Sequence, residues 1–206
     1  SRQGLQMMLE PSIQINYLLG ASGAYPVFVE KRWWTLLTAG WLHGGIFHIF
    51  FNVLWIRQLG PEIGNLYGAG RMIIIYTFAG IAGFALSSVM GLFWIPYFGA
   101  PITVGASASV FGMLGALVQY GKRTASNRAR EAGLQYAVFM GIMGFIFQGI
   151  DNAAHLGGFL GGYLTSAVLD PLKPERVDHL AIAVLCLAIT VIAIAWSVIT
   201  ALPQLT

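Results

Sequence analysis

Charged side chains are scarce in this sequence. They make up 9% of its 206 residues, whereas 57% are hydrophobic. A soluble domain carries about a quarter charged residues, so this chain cannot cover a core with a polar surface. Lipid must therefore be the solvent for much of its exterior. The net charge of +3 fits the Lys and Arg bias of cytoplasmic loops in membrane proteins better than it fits nucleic-acid binding.

Cysteine is nearly absent as well, because Cys186 is the single one and lies in an apolar run. One cysteine excludes an intrachain disulfide and a cysteine-based metal motif. Three histidines, His43, His48 and His155, could in principle bind zinc. However, the H-x4-H spacing of the first two does not align them on one helix face as HExxH does. We therefore expect no metal site.

Long charge-free stretches separate the few charged residues and predict the membrane spans. A helix needs about 20 apolar residues to cross the hydrocarbon core. The stretch from Met72 to Gly121 is long enough for two spans, with a break marked by Pro96, Gly99 and Pro101. The pattern predicts an all-α polytopic bundle of six transmembrane helices, at about 36–58, 72–93, 104–121, 132–148, 152–169 and 180–201.

The basic residues predict the orientation of these spans. Lys and Arg occur in the three loops after the first, third and fifth spans, and the loops at 94–103 and 149–151 contain neither. The positive-inside rule makes the basic side cytoplasmic. Segment 1–35 is then non-cytoplasmic, and since it has no signal-peptide core, we expect a further span upstream of it.

Three regions follow from this topology. We predict that 1–35 is an outer loop and interfacial segment, in which Trp33 and Trp34 suit the aromatic belt of a membrane protein. Residues 36–170 form a core of five spans. Residues 171–206 form a cytoplasmic loop and an additional C-terminal span.

Strongly polar residues cluster in three of the predicted spans, where they are costly and therefore functional candidates. The clusters contain His43, His48 and Asn52 in the first span, Ser107 at the start of the third, and His155 near the start of the fifth. All lie toward the outer side. His48 and Asn52, four residues apart, share a helix face, whereas His43 should point about 140° away, nearer the water.

Ser107 and His155 together suggest nucleophilic catalysis. A serine hydroxyl becomes a strong nucleophile when a base takes its proton, and His155 is placed to do this. Asn52, His48 and the backbone N–H of Ser107 can donate to the oxyanion that forms. Small residues should let the third and fifth spans pack closely; they are Ala108, Gly112 and Ala116 on one, and Gly157, Gly158, Gly161 and Gly162 on the other.

Other polar residues have simpler interpretations. Asp151 could complete a Ser–His–Asp triad, but an Asp at the start of a helix is a good N-cap, and we favour capping. Four hydroxyl residues without evident polar partners are expected to be helix-packing residues: Ser87, Ser88, Thr103 and Thr165.

The motifs together resemble those of the rhomboid intramembrane serine proteases. The resemblance runs from about residue 25 to 170, in order, spacing and topology. It rests on four patterns: Arg32-Trp33-Trp34, His43-x4-His48-x3-Asn52, Gly105-Ala106-Ser107-Ala108, and Ala154-His155-x2-Gly158-x3-Gly162.

This resemblance implies a Ser107–His155 dyad without an acid, in a six-plus-one arrangement of spans, acting without a cofactor. His48, Asn52 and the Ser107 backbone would form the oxyanion hole. Supporting residues would be Gly105, Asn152 and Phe111, whose ring would pack on the histidine, and helix-packing residues would be Gly112, Gly158 and Gly162.

The resemblance also implies the setting of the protein. Substrates would be transmembrane proteins with helix-destabilised segments and a small residue at the cut. The protein would lie in the cell membrane with its site opening to the non-cytoplasmic side. The family usually has Gly where this chain has Ala108, so an inactive rhomboid-like protein that binds membrane clients stays the alternative.

Overall fold

The computed structural model describes residues 10–93, 98–147 and 149–205. Within these residues the regular structure is helical, apart from one antiparallel bridge between Ser22 and Thr103. The outer segment contains a short helix α1 (Ile13–Leu19), a π-helical turn (Tyr25–Val29) and a short helix α2 (Thr35–Thr38) that continues as a 3-10 turn (Ala39–Trp41). Six long helices follow: α3 (Ile46–Tyr67), α4 (Ala69–Gly91), α5 (Ser107–Thr124), α6 (Asn127–Ile146), α7 (Asn152–Val168) and α8 (Val177–Leu205).

The prediction of an all-α membrane bundle is confirmed. By length and apolar composition, α4 and α8 can each cross a membrane, and the bent pair formed by α2 with its 3-10 turn and α3 would be a third span if counted as one. Helices α5, α6 and α7 have 18, 20 and 17 residues. These lengths lie within the range of about 17–25 residues that crosses about 30 Å of hydrocarbon, with α7 at its lower limit.

The bounds predicted for the first span, 36–58, are wrong. The chain bends by 96° between the 3-10 turn and α3, and the long helix then continues to Tyr67, through Arg57 and Pro61. Arg57 is exposed, and a long basic side chain can extend from a helix toward water without ending it. Similarly, α6 begins at Asn127 rather than 132 and includes three charged residues in its first two turns: Arg128, Arg130 and Glu131.

Helix α5 lies at the centre of the bundle and approaches α7 very closely. A Cβ added to Gly158 would collide with the carbonyl of Ala108, and one added to Gly162 would collide with the backbone of Gly112. The two backbones are therefore in direct contact along this stripe. This contact fixes where the N-termini of α5 and α7 lie relative to each other.

A second packing region joins α3 to α5. Leu59, Ile63 and Tyr67 of α3 are buried in an apolar cluster with α5 residues such as Met113 and Leu114. The Tyr67 hydroxyl donates to the Ala116 carbonyl at 3.0 Å. Only the C-terminal half of α3 packs in this way, since its N-terminal half exposes large apolar side chains, among them Phe47, Phe50 and Phe51.

Arg71, near the start of α4, is 2% exposed and forms a polar centre at the opposite end of the bundle from the N-termini of α5 and α7. Its backbone N–H donates to the Glu175 carboxylate at 2.8 Å. Its guanidinium donates four hydrogen bonds, to His179 Nδ1 and to the carbonyls of Tyr67, Lys173 and Pro174. This centre ties the α3–α4 junction to the loop before α8.

The outer segment is held by hydrogen bonds of Arg32 and Trp34. Arg32 donates to the carbonyls of Tyr17 and Leu18 at 3.0 and 3.1 Å. Trp34 donates to Ser197 of α8 at 2.9 Å, so its ring faces the bundle, whereas Trp33 is exposed. Of the predicted break between the second and third spans, Gly99 and Pro101 lie in the loop before α5, and Pro96 falls outside the described residues.

Candidate active site

Ser107 and His155 meet at the outer ends of α5 and α7. Ser107 is the first residue of α5 and His155 the fourth of α7. Their Oγ and Nε2 atoms are 2.9 Å apart. The close α5–α7 backbone contact brings these two helix starts together, and it leaves Ser107 half-buried while His155 is 8% exposed.

The His155 ring is held by stacking. The ring of Phe111, one turn after Ser107, lies parallel to it with centroids 4.1 Å apart and an interplanar angle of 14°. Its Nδ1 is buried and has no hydrogen-bond partner among the described residues. The ring therefore meets Ser107 through Nε2, the nitrogen that must be free of a proton to act as a base.

Asp151 caps α7 and does not contact the His155 ring. Its Oδ1 accepts from the N–H groups of Ala153 and Ala154, both at 3.1 Å. Its Oδ2 accepts from the hydroxyl of Ser87 on α4. The capping interpretation of Asp151 agrees with this geometry. The interpretation of Ser87 as a residue without a polar partner was wrong, because that partner lies 64 positions further along the chain.

His48 and Asn52 lie on one face of α3, beside Gly105. His48 Nδ1 accepts from the Gly44 N–H at 3.3 Å, which leaves the hydrogen of the neutral ring on Nε2. A Cβ added to Gly105 would lie 2.6 Å from His48 Nε2 and 3.8 Å from Asn52 Nδ2. Gly105 also has φ +123°, so both its conformation and its surroundings require glycine.

Unused hydrogen-bond donors surround this glycine, two residues before Ser107. Asn52 is 5% exposed, and its Nδ2 donates one hydrogen to the His48 carbonyl at 2.9 Å, so its second amide hydrogen has no acceptor among the described residues. Ser107 starts a helix, where the N–H has no intrahelical acceptor. The positive end of the α5 dipole lies at the same point. The surroundings of Ser107 can therefore bind an anionic oxygen.

Two further predicted residues lie away from the Ser107–His155 contact. His43 precedes α3 instead of lying on it, so the angle expected from helical spacing does not apply; its ring packs edge-on against His48, with centroids 5.1 Å apart. Asn152 is buried and donates to the Gly144 carbonyl at 3.1 Å, which joins the end of α6 to the start of α7.

The prediction that the hydroxyl residues outside the site serve in helix packing fits Ser88 but not Thr103. Ser88 bonds the Phe84 carbonyl of its own helix at 2.7 Å. Thr103 was expected in helix packing but pairs through its backbone with Ser22, at 2.7 and 3.0 Å. That bridge joins the outer segment to the chain just before Gly105, a contact that the sequence pattern did not reveal.

Ala108 fits its place after Ser107. It is buried, and its methyl group faces Gly83 of α4, where an added Cβ would lie 2.6 Å from it. The glycine opposite thus provides the space that the methyl group occupies. Ala108 is the first residue after the start of α5, and the helix continues through it without a break.

Comparison with known proteins agrees with the motifs. A profile of the Rhomboid domain matches residues 30–172. The chain is 36% identical over 169 residues to "Rhomboid protease GluP" of Bacillus subtilis (strain 168), covering 80% of this chain and 32% of that protein. It is 32% identical over 165 residues to "RHOMBOID-like protein 1" of Arabidopsis thaliana, covering 78% of this chain and 41% of that protein.

A shorter relative is matched over more of its length. "Putative rhomboid protease YdcA" of Bacillus subtilis (strain 168) is 29% identical over 148 residues, which cover 70% of this chain and 71% of that protein. The chain spans well under half the length of the two relatives above. The Rhomboid profile covers more than half of the present sequence, and the chain therefore belongs to the rhomboid family of membrane proteins.

Proposed function

We propose that this protein is an intramembrane serine endopeptidase that hydrolyses peptide bonds of transmembrane proteins with a Ser107–His155 dyad. The observation that carries the proposal is the 2.9 Å contact between Ser107 Oγ and His155 Nε2. Beside it lie N–H groups of His48, Asn52 and Ser107 that have no acceptor in the part of the chain that the structure describes. Polar groups inside a membrane protein are costly. Here several of them converge on one nucleophile, which supports a catalytic role.

In the first half-reaction His155 Nε2 takes the Ser107 proton as Oγ attacks the substrate carbonyl carbon. The carbonyl π-electrons move to oxygen, and this oxyanion accepts hydrogen bonds from the groups around Gly105. Collapse of the intermediate breaks the C–N bond, and His155 gives its proton to the leaving amine. Water then attacks the acyl-enzyme ester while His155 takes its proton. The bond between the acyl carbon and Oγ breaks, and His155 returns the proton to Ser107 Oγ as the acid product leaves.

The mechanism needs no carboxylic acid partner for His155. Both oxygens of Asp151 accept hydrogen bonds from groups other than the ring. Stacking on Phe111 supplies the orientation that an Asp gives in a catalytic triad.

The proposed location is the cell membrane, with the site opening to the non-cytoplasmic side. The support is the charge pattern: the loops at the Arg71 end carry the basic residues, and the site lies at the other end of the bundle. Two relatives from Bacillus subtilis carry the word protease in their names. Proposed substrates are transmembrane segments that unwind easily, with a small residue at the cut.

A fluorophosphonate probe tests the proposal, because it reacts with a serine only when that serine is activated. In proteoliposomes the protein should label, and peptide mapping should find the label on Ser107. The matched control is Ser109→Ala, two residues away, which should leave labelling intact. Absence of label on folded protein, together with retained binding of membrane clients, would instead establish the inactive rhomboid-like alternative.

A further inference from the structure

Asp151 joins two helices as well as capping one. Its Oδ1 receives the first-turn N–H groups of α7, and its Oδ2 receives the hydroxyl of Ser87 on α4. The Asp151 carbonyl also accepts the His155 N–H at 3.1 Å. A single residue therefore connects α4, the start of α7 and the backbone of His155.

The α4–α7 interface consists of small residues, so a polar contact between the two helices can fix their relative position. A Cβ added to Gly157 would lie 2.9 Å from the Gly83 Cα, and one added to Gly161 would also meet α4, at Ala82. Smooth surfaces of small residues let backbones approach closely. They also lack the interlocking side chains that fix the position of one helix along another. The polar contact of Ser87 with Asp151 can supply that fixed position.

Ser87 is suited to this role by its burial and its partner. It is 0% exposed, and a hydroxyl-to-carboxylate hydrogen bond in an apolar environment is among the strong ones. The neighbouring Ser88 is equally buried, but it bonds the Phe84 carbonyl within its own helix. The two serines therefore differ in whether they connect α4 to α7.

We propose that Ser87 is a positioning residue for His155, acting through Asp151 to hold the start of α7 at the depth where Nε2 meets Ser107 Oγ. This inference rests on the proposed function, since it assigns Ser87 to the Ser107–His155 reaction. A small displacement of a catalytic group costs up to about 10²-fold in rate. The contact is therefore expected to affect catalysis more than folding.

The first experiment measures how fast fluorophosphonate inactivates Ser107 in purified, folded protein. Ser87→Ala should react roughly tenfold to a hundredfold more slowly, whereas Ser88→Ala should react at the unsubstituted rate. Because Ser87 acts through the carboxylate, Ser87→Ala should have no further effect in an Asp151→Ala background, as expected of coupled residues. If Ser87→Ala lowered the inactivation rate by the same factor with Asp151 present and with Asp151→Ala, the proposal would be overturned.

A second readout does not depend on catalysis. The sequence has four histidines, and the His155 ring stacks on Phe111, so its NMR signal should carry a distinct ring-current shift. Ser87→Ala should move that signal, and Ser88→Ala should not. If Ser87→Ala only lowers the unfolding temperature and leaves both signal and inactivation rate unchanged, the positioning role is wrong. If the unsubstituted protein does not label but the signal still moves, the positioning role holds and the protease function fails.

Discussion

The bundle contains two buried polar centres, and they differ in how completely their hydrogen bonds are used. Around Arg71, four of the guanidinium's five N–H groups reach fixed acceptors. Around Ser107, the second amide hydrogen of Asn52, the Nε2–H of His48 and the Ser107 N–H have no described acceptor. The Arg71 centre thus uses most of its donors within the chain, whereas the Ser107 centre keeps several donors that a bound molecule could engage.

This difference separates structural from functional polarity in a membrane protein. Polar networks whose hydrogen bonds are satisfied stiffen the structure around them. The Arg71 centre does this where it joins the α3–α4 junction to the loop before α8. Groups that stay unsatisfied although burial makes them costly need another explanation, and substrate binding is one. Polar residues in a span thus indicate where to look for a functional site. The number of hydrogen-bond partners that they have within the chain then distinguishes a structural centre from a functional one.

The largest effect should come from removing the dyad. Ser107→Ala and His155→Ala should each lower cleavage of a transmembrane substrate in proteoliposomes by about 10⁶-fold, the scale seen for serine protease nucleophiles and bases. The unfolding temperature should stay near that of the unsubstituted protein. Turnover retained by Ser107→Ala would show that the two polar centres do not differ in the way described here.

A smaller loss should follow from removing an oxyanion donor. Asn52→Ala should lower kcat by about 10²–10³, while Ser107 stays reactive toward fluorophosphonate because the dyad is intact. The double variant His48→Ala, Asn52→Ala should lose more than either single variant. If Asn52 serves only in packing, the same variant would lower thermal stability at unchanged kcat per folded molecule, so both quantities should be measured on one preparation.

Substitution of Arg71 should lower stability and leave catalysis unchanged, the opposite of what we expect for the dyad. Arg71→Met removes the donors of four hydrogen bonds at the end of the bundle away from Ser107 and leaves buried acceptors without these partners. We expect a loss of about 3 kcal/mol of unfolding free energy, since each unsatisfied buried polar group costs about 1–3 kcal/mol. The kcat per folded molecule should not change. Arg71→Lys should also destabilise, since an ammonium cannot reproduce the planar fork. A fall in kcat without loss of stability would contradict the assignment.

The smallest effect is expected for Asp151→Asn. Asn also caps helices, and its amide can donate to the Ser87 oxygen in place of the bond it now receives. Activity should therefore stay within about tenfold of the unsubstituted value. A fall of about 10⁴-fold in kcat, the effect of replacing a triad acid, would mean that Asp151 takes part in catalysis and belongs to the Ser107 centre.

The sequence predicted the number of long helices and their order well, but it predicted their ends less well. Charged residues were used as boundaries, yet Arg57 lies inside α3 and Arg128 inside α6. The side chains of Arg57 and Arg128 reach water while the helix continues beyond them, and Arg71 is buried inside the bundle. The three predicted regions, with bounds at 35 and 170, stay predictions.

The site was more predictable because its residues recur at helical spacing near helix starts. Ser107, His155, His48 and Asn52 were expected at one level, and the structure brings them together there; their catalytic roles stay predictions. The contact of Ser87 with Asp151 joins distant positions and leaves no local pattern. The bend before α3 takes His43 off the helix, and the His43 carbonyl there accepts from the Asn16 side chain at 3.4 Å, a contact between positions 27 apart.

The methyl group of Ala108 and the bare α-carbon of Gly83 face each other across α4 and α5. The space between them is filled by the one methyl group of Ala108, because a Cβ added to Gly83 would lie 2.6 Å from that methyl group. The same added Cβ would also lie 2.6 Å from the Ala154 carbonyl oxygen of α7, so only position 108 can carry a methyl group here. Gly83 is therefore required by α7 as well as by α5, and an alanine there would push α4 away from the helices that carry Ser107 and His155, whichever small residue follows the serine.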